Sequence, residues 1–149
     1  MKPRIEAHAR QRIKAPAEKV YGAWLDPAQV RVWMATSLQS CGLAGDIQRV
    51  EIDAHVGGKF FFSDLRDGKE ARHWGTYLEL ERPRKIVFTW IVAESEEADP
   101  SVVTLTTQPE ADGCVATIVH AMDPKWAEYV ARTEAGWTRI LKAIEGSLV

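Results

Sequence analysis

The chain has 149 residues, 46% of them hydrophobic and 27% charged, and its 19 basic and 21 acidic side chains leave a formal net charge of -2. That size and composition fit one soluble globular domain, exclude a disordered or collagen-like chain, and lack the basic footprint of a nucleic-acid binder. Folding at this length hides roughly 70% of the unfolded surface, enough for a core without staples, so Cys41 and Cys114 are expected to stay reduced.

Met1-Lys2-Pro3-Arg4 lacks the apolar run of a signal peptide, and no segment approaches the roughly 20 apolar residues that span a bilayer. A cytoplasmic chain without membrane insertion is expected. From Arg4 to Ile13 the pattern alternates, with Ile5, Ala7, Ala9 and Ile13 on one face, which predicts a strand with one wet side. Pro16 stops it and suits the first turn of a helix carrying Val20, Ala23 and Trp24. Asp26-Pro27 breaks that helix; a second one runs from Pro27 through Val30 to Trp33, followed by an irregular stretch from Thr36 to Asp46.

The period then switches to two for about seventy-five residues, broken at hairpin-like intervals. Val50 and Ile52 share a strand face, Val56-Gly57-Gly58 turns, Phe60 and Phe62 point one way, and Arg66-Asp67-Gly68 turns again. The next strand is read with Trp74, Thr76, Leu78 and Leu80 on one side, Trp74 sharing the parity of the inward aromatic residues, and with His73, Gly75, Tyr77 and Glu79 on the other. Ile86, Phe88 and Trp90 follow, then an acidic loop from Glu94 to Asp99, then strands carrying Val103, Leu105 and Thr107 and, after Asp112-Gly113, Ala116, Ile118 and His120. Asp123-Pro124 reads as an N-cap and first-turn proline, opening a terminal helix of about 25 residues, roughly 38 Å long, with Trp126, Val130, Trp137, Leu141 and Ile144 on its apolar stripe. Gly136 inside it predicts close packing against a backbone or ring.

This order predicts an α+β fold: a curved seven-stranded antiparallel sheet wrapped around a long C-terminal helix, with two short helices between strands 1 and 2, as a single domain over 1–149. A concave sheet and a straight rod cannot touch everywhere, and the gap between them is a natural ligand cavity.

The element order, together with Ala15-Pro16-Ala17-Glu18-Lys19-Val20, Val56-Gly57-Gly58-Lys59-Phe60, Gly75-Thr76-Tyr77, Pro83-Arg84-Lys85-Ile86-Val87-Phe88-Thr89-Trp90 and Gly136-Trp137, resembles the START/polyketide-cyclase (Bet v 1-like, helix-grip) superfamily. Within it the chain is most similar to the branch named after the C-terminal domain of the activator of heat-shock-protein-90 ATPase. The resemblance implies a pocketed fold whose members include binders of hydrophobic ligands, aromatase/cyclases and proteins that sequester reactive metabolites. The chain departs from the branch pattern at Cys114 and at Ala121-Met122, both expected near the pocket mouth.

Six tryptophans against four phenylalanines and three tyrosines is a skewed aromatic set. Phe60, Phe62, Trp74, Phe88 and Trp90 on neighbouring strands and Trp126 and Trp137 on the helix are the expected ligand-binding residues, with Trp33 at the entrance. A packed core explains any one of them, but buried indoles need partners for their N–H groups, and several converging on one space suit a partly open aromatic pocket. His120, on the inward parity, joins the list as a hydrogen-bonding group or general base, with Tyr77 as the other candidate acid–base residue. Asp64 reads as a solvated strand-end residue. No nucleophile elbow, zinc-binding helix or phosphate-cradling loop occurs, and His8, His55, His73 and His120 are too scattered for a metal motif. No cofactor and no metal are expected. Three readings remain open: binding of a small hydrophobic or aromatic molecule, a cofactor-free cyclase, dehydratase or hydrolase, and a module regulating a chaperone ATPase. Each leaves room for a homodimer.

Overall fold

The computed structural model describes residues 3–148, so the Met1-Lys2 start of the amino terminus lies outside the described residues. The elements are β1 (Ile5–Ile13), α1 (Ala17–Leu25), α2 (Pro27–Ser40), β2 (Asp46–Ile52), β3 (Lys59–Arg66), β4 (Lys69–Glu81), β5 (Lys85–Trp90), β6 (Ser101–Glu110), β7 (Gly113–Met122) and α3 (Val130–Leu148). Short 3-10 turns occupy Glu94–Glu96 and Pro124–Tyr129. The seven strands pair antiparallel in the order β1-β7-β6-β5-β4-β3-β2. Strands 1 and 2 are therefore the two edges, and α1 and α2 carry the chain from one to the other.

Asp26 joins these helices: its backbone N–H donates to the Gly22 carbonyl at the end of α1, while its carboxylate accepts from Ala28 N–H at 2.9 Å to open α2. The second helix runs to Ser40 rather than ending near Trp33. The hydroxyls of Ser37 and Ser40 donate back to the carbonyls of Met34 and Ser37, so these polar residues are accommodated within helical geometry instead of ending it. The C-terminal segment differs in the other direction. Trp126 has φ -95 and ψ 15, which interrupts the expected continuous helix and leaves 19 residues in α3.

Directly opposed residues share a sheet face. The register therefore builds one inward row across five strands: Tyr77 opposite Phe88, Phe88 opposite Val103, Val103 opposite His120 and His120 opposite Ala7. On β3, Phe60 opposes Gly75 and Phe62 opposes His73. This corrects the expected faces of β4. His73, Gly75 and Tyr77 point inward, whereas Trp74 opposes Phe61 on the outer face. A register shift between Tyr77 and Glu79 then returns Leu80 to the inner side, opposite Ile86, and leaves Leu78 exposed. At Gly75 an added Cβ would lie 1.9 Å from the Thr89 carbonyl oxygen and 2.9 Å from Cε1 of Phe60, so only glycine fits beneath these aromatic rings.

Along α3, Trp137, Leu141 and Ile144 are buried at helical spacing. The helix is also fastened to the β1 edge: His8 N–H donates to a Glu134 carboxylate oxygen at 2.8 Å, Lys14 N–H to Glu145 at 3.4 Å, and the Gln11 side chain to Glu145 at 3.2 Å. Cys41 is exposed, Cys114 is buried, and both are free thiols. Cys114 opposes Ile13 at the far end of β7 and lies away from the cavity described below, whereas Met122 lines it.

Candidate functional site

The inward aromatic residues divide into two adjoining spaces. Deep between α1, α3 and the sheet, Phe60, Tyr77 and Phe88 close around a void of only about 20 Å³. Phe60 lies 5.5 Å from both Tyr77 and Phe88, and Trp24 reaches over them, 6.3 Å from Phe88 and 6.2 Å from Trp137. Further out, between α2, the sheet and the start of α3, lies an open cavity of about 550 Å³, a size suited to a small organic ligand. Trp33, Phe62, Trp90 and Trp137 border both spaces and form the partition.

The expected binding residues are therefore sorted rather than pooled. Trp33, Phe62, Trp90, His120, Trp126 and Trp137 line the open cavity, while Phe60 and Phe88 belong to the closed core behind it. Trp74, expected among the binding residues, lies outside both, because it sits opposite Phe61 on the outer face of the sheet. Trp33 is not at the entrance: it is 2% exposed, and its indole donates to the Ala23 carbonyl at 2.9 Å. The mouth belongs instead to the exposed pair Trp126 and Tyr129, edge to face at 5.7 Å on the 3-10 turn before α3. Trp126 thus sits on that turn and not on the helical stripe of Trp137.

Residues missed by pattern reading complete the walls. Met34, Ser37 and Leu38 come from the part of α2 beyond its expected end, Ser101 from the start of β6, and Thr133, Gly136, Arg139 and Ile140 from α3. Gly136 does not pack against a ring or backbone, since a Cβ there would meet only the Arg139 guanidinium, at 3.8 Å. It leaves the helix surface low where it borders the cavity. His73 also lines the cavity, stacked on Trp90 at 5.0 Å. Its Nδ1 is buried without a hydrogen-bond partner, as is the Trp24 Nε1. Burial, reinforced by the nearby Arg66 guanidinium, holds the His73 pKa down to about 4. Asp64 is fully buried rather than solvated, bound by Arg66 at 2.8 Å and 3.2 Å, which compensates the charge that its inward position would otherwise strand.

His120 has the arrangement that most resembles chemistry. Its Nε2 is 2.8 Å from Ser101 Oγ, and its Nδ1 accepts from Trp137 Nε1–H at 3.0 Å. An indole nitrogen only donates, so His120 Nδ1 carries no proton and the neutral ring bears its hydrogen on Nε2, donating to Ser101. Ser101 in turn donates its hydroxyl hydrogen to the Trp90 carbonyl at 2.8 Å. Every proton in the chain Trp137–His120–Ser101–Trp90 points the same way. A general base activating this serine would require the reverse direction at both His120 and Ser101. Burial holds the His120 pKa down to about 4, in keeping with a neutral ring that anchors α3 to the sheet. Tyr77, whose hydroxyl pKa is raised by burial and the nearby Asp53 charge, lies in the closed core and does not line the cavity with His120. Among the described residues no cluster of His, Cys, Asp and Glu side chains is arranged to hold a metal ion, and no helix is long and apolar enough to cross a membrane.

Solved structures share this architecture. Protein CV1439 from Chromobacterium violaceum superposes with a TM-score of 0.79 at 26% identity, covering 97% of each chain. The AHSA1-like protein from Aeromonas hydrophila superposes at 0.74 with 21% identity, covering 95% of this chain and 90% of its own. The Q3J4M4_RHOS4 protein from Rhodobacter sphaeroides reaches 0.79 at 17% identity, over 96% and 91% of the two chains. No curated protein matches the chain. The model of the family described as Activator of Hsp90 ATPase homolog 1-like protein matches residues 14–148, which takes in every element from α1 to α3, and the chain belongs to that family, within the Bet v 1-like superfamily.

Proposed function

We propose that this protein binds a small, largely apolar molecule, with aromatic character, in the cavity between α2, α3 and the concave sheet. The observation that carries the reading is the contrast in filling: the same kind of side chain closes the inner space to about 20 Å³ but leaves about 550 Å³ open immediately outside it. Burying apolar area at about 25 cal/mol per Å² supplies affinity without a reacting group. The single direction of the protons in the His120 network, from Trp137 to the Trp90 carbonyl, favours binding over acid–base turnover, because neither His120 nor Ser101 offers a base to a bound molecule in this arrangement.

Fluorescence titration with phenylnaphthylamine, a neutral aromatic probe, tests this. The wild-type protein is expected to enhance probe emission while its tryptophan emission falls by energy transfer. Gly136→Leu, which pushes a side chain into the cavity, is expected to weaken binding by about tenfold or more without lowering thermal stability. Binding that is absent in the wild type, or unchanged by Gly136→Leu in a folded variant, overturns the assignment.

A further inference from the structure

Resting on that reading, we infer that the ligand is an amphipathic anion: an aromatic body held in the cavity and a carboxylate or similar acid group paired with Arg139 at its edge. Arg139 lines the cavity, is half-buried, and makes no hydrogen bond or ion pair with any described residue. A guanidinium carries five N–H donors in a fixed fork suited to a carboxylate or sulfonate, and partial burial without a counter-charge leaves that capacity unused. Its position is built rather than incidental, because Gly136, one turn earlier, leaves the surface over which the guanidinium lies, 3.8 Å from where a Cβ would be.

The other charges around the opening have partners. Arg4 pairs with Asp99, Arg66 with buried Asp64, the Asp123 carboxylate accepts from Lys125 N–H at 2.9 Å, and Glu96 accepts from Val92 N–H at 3.2 Å. Lys125 lies against the Trp126 ring, 5.3 Å from its centroid, on the exposed outer lip. Arg139 alone combines partial burial, a place on the cavity wall and no partner among the described residues, so it is the group for which a ligand charge has the most to supply.

Two probes with one ring system separate this from simple hydrophobic binding: anilinonaphthalene sulfonate, and phenylnaphthylamine, which lacks the sulfonate. The wild type is expected to prefer the sulfonate by about threefold to tenfold, less at high salt. Arg139→Gln is expected to abolish the preference and leave the neutral probe within about twofold, Arg139→Lys to restore part of it, and Lys125→Gln to leave it in place. Circular dichroism and thermal melting establish that each variant is folded. If neither probe binds the wild type, the cavity reading itself falls. If the neutral probe binds but the sulfonate is not preferred, or Arg139→Gln leaves its preference intact, or Lys125→Gln removes it, the cavity stands and the assignment to Arg139 is overturned.

Discussion

The closed core and the open cavity are built from the same vocabulary of rings, share four of them, and differ in what faces those rings. Inward, α1 lays Trp24 and Leu25 over Phe60, Phe88 and Tyr77, and the space shrinks to about 20 Å³. Outward, the facing residues include Ser37, Thr133 and Gly136, and α3 gives way at Trp126 to a turn that carries the chain to an exposed aromatic lip. Aromatic content therefore does not distinguish a core from a site. The size of the residue opposite does.

The largest test of that distinction is a pair of truncations. Phe88→Ala, behind the partition, is expected to cost about 3–5 kcal/mol in urea denaturation, because the packed rings around it cannot collapse into the gap. Ile140→Ala, on the cavity wall and half-buried, is expected to cost about 1 kcal/mol, since the space it vacates joins one that already exists. Equal costs would mean that the two regions are packed alike.

The second test is pH, and it reads the histidines on the cavity side. Both His73 and His120 fall from 6.5 to about 4 in the folded protein. Unfolding exposes them, so between about pH 6.5 and 4 the unfolded chain binds the extra protons. Stability is full above that window and declines as pH falls through it, by up to about 1.4 kcal/mol per pH unit for each histidine, then levels near pH 4. His120→Gln is expected to remove about half of the slope between pH 6.5 and 4.5 in urea midpoints. An unchanged slope would place the acid sensitivity elsewhere.

The smallest effect has the opposite sign. Gly136→Ala is expected to raise stability by about 1 kcal/mol, because alanine is the better helix former and its Cβ meets no backbone. A loss of stability in thermal melts would show that the glycine serves packing after all.

The fold was legible because alternation and breakers recur along the chain: Pro16, Asp26-Pro27, Arg66-Asp67-Gly68 and Asp112-Gly113 all stand at or beside element ends. The lining of the cavity is legible in part. His120, Trp90 and Trp137 are expected on it, and lie on it, because simple parity holds on β5 and β7 and helical spacing on α3. Trp74 falls on the wrong face in a strict period-two reading of β4, because the register shift between Tyr77 and Glu79 puts Leu80 on the face of Tyr77, so Leu80 and Trp74 do not share a side. Asp64 did carry a signal, sharing the parity of Phe60 and Phe62, with Arg66 two residues on to pair with it. Arg139 carried none: a charged residue beside an apolar stripe reads as solvated until the turn at Trp126 and the absent side chain of Gly136 show what it faces.

The carboxylates that fasten α3 to β1 bear on a different matter, the fate of the sheet's edges. An outer strand offers free N–H and C=O groups as a template for other chains, and a sheet with an apolar concave face is exposed to that hazard during folding. Glu134 and Glu145 occupy the His8 and Lys14 amides, while β2 at the other margin carries Asp46, Arg49 and Glu51 around a register shift. Strand-to-strand aggregation is thus discouraged at both ends by charge and irregularity, and the concave face can keep an unfilled apolar space without the sheet becoming a seed for polymerisation.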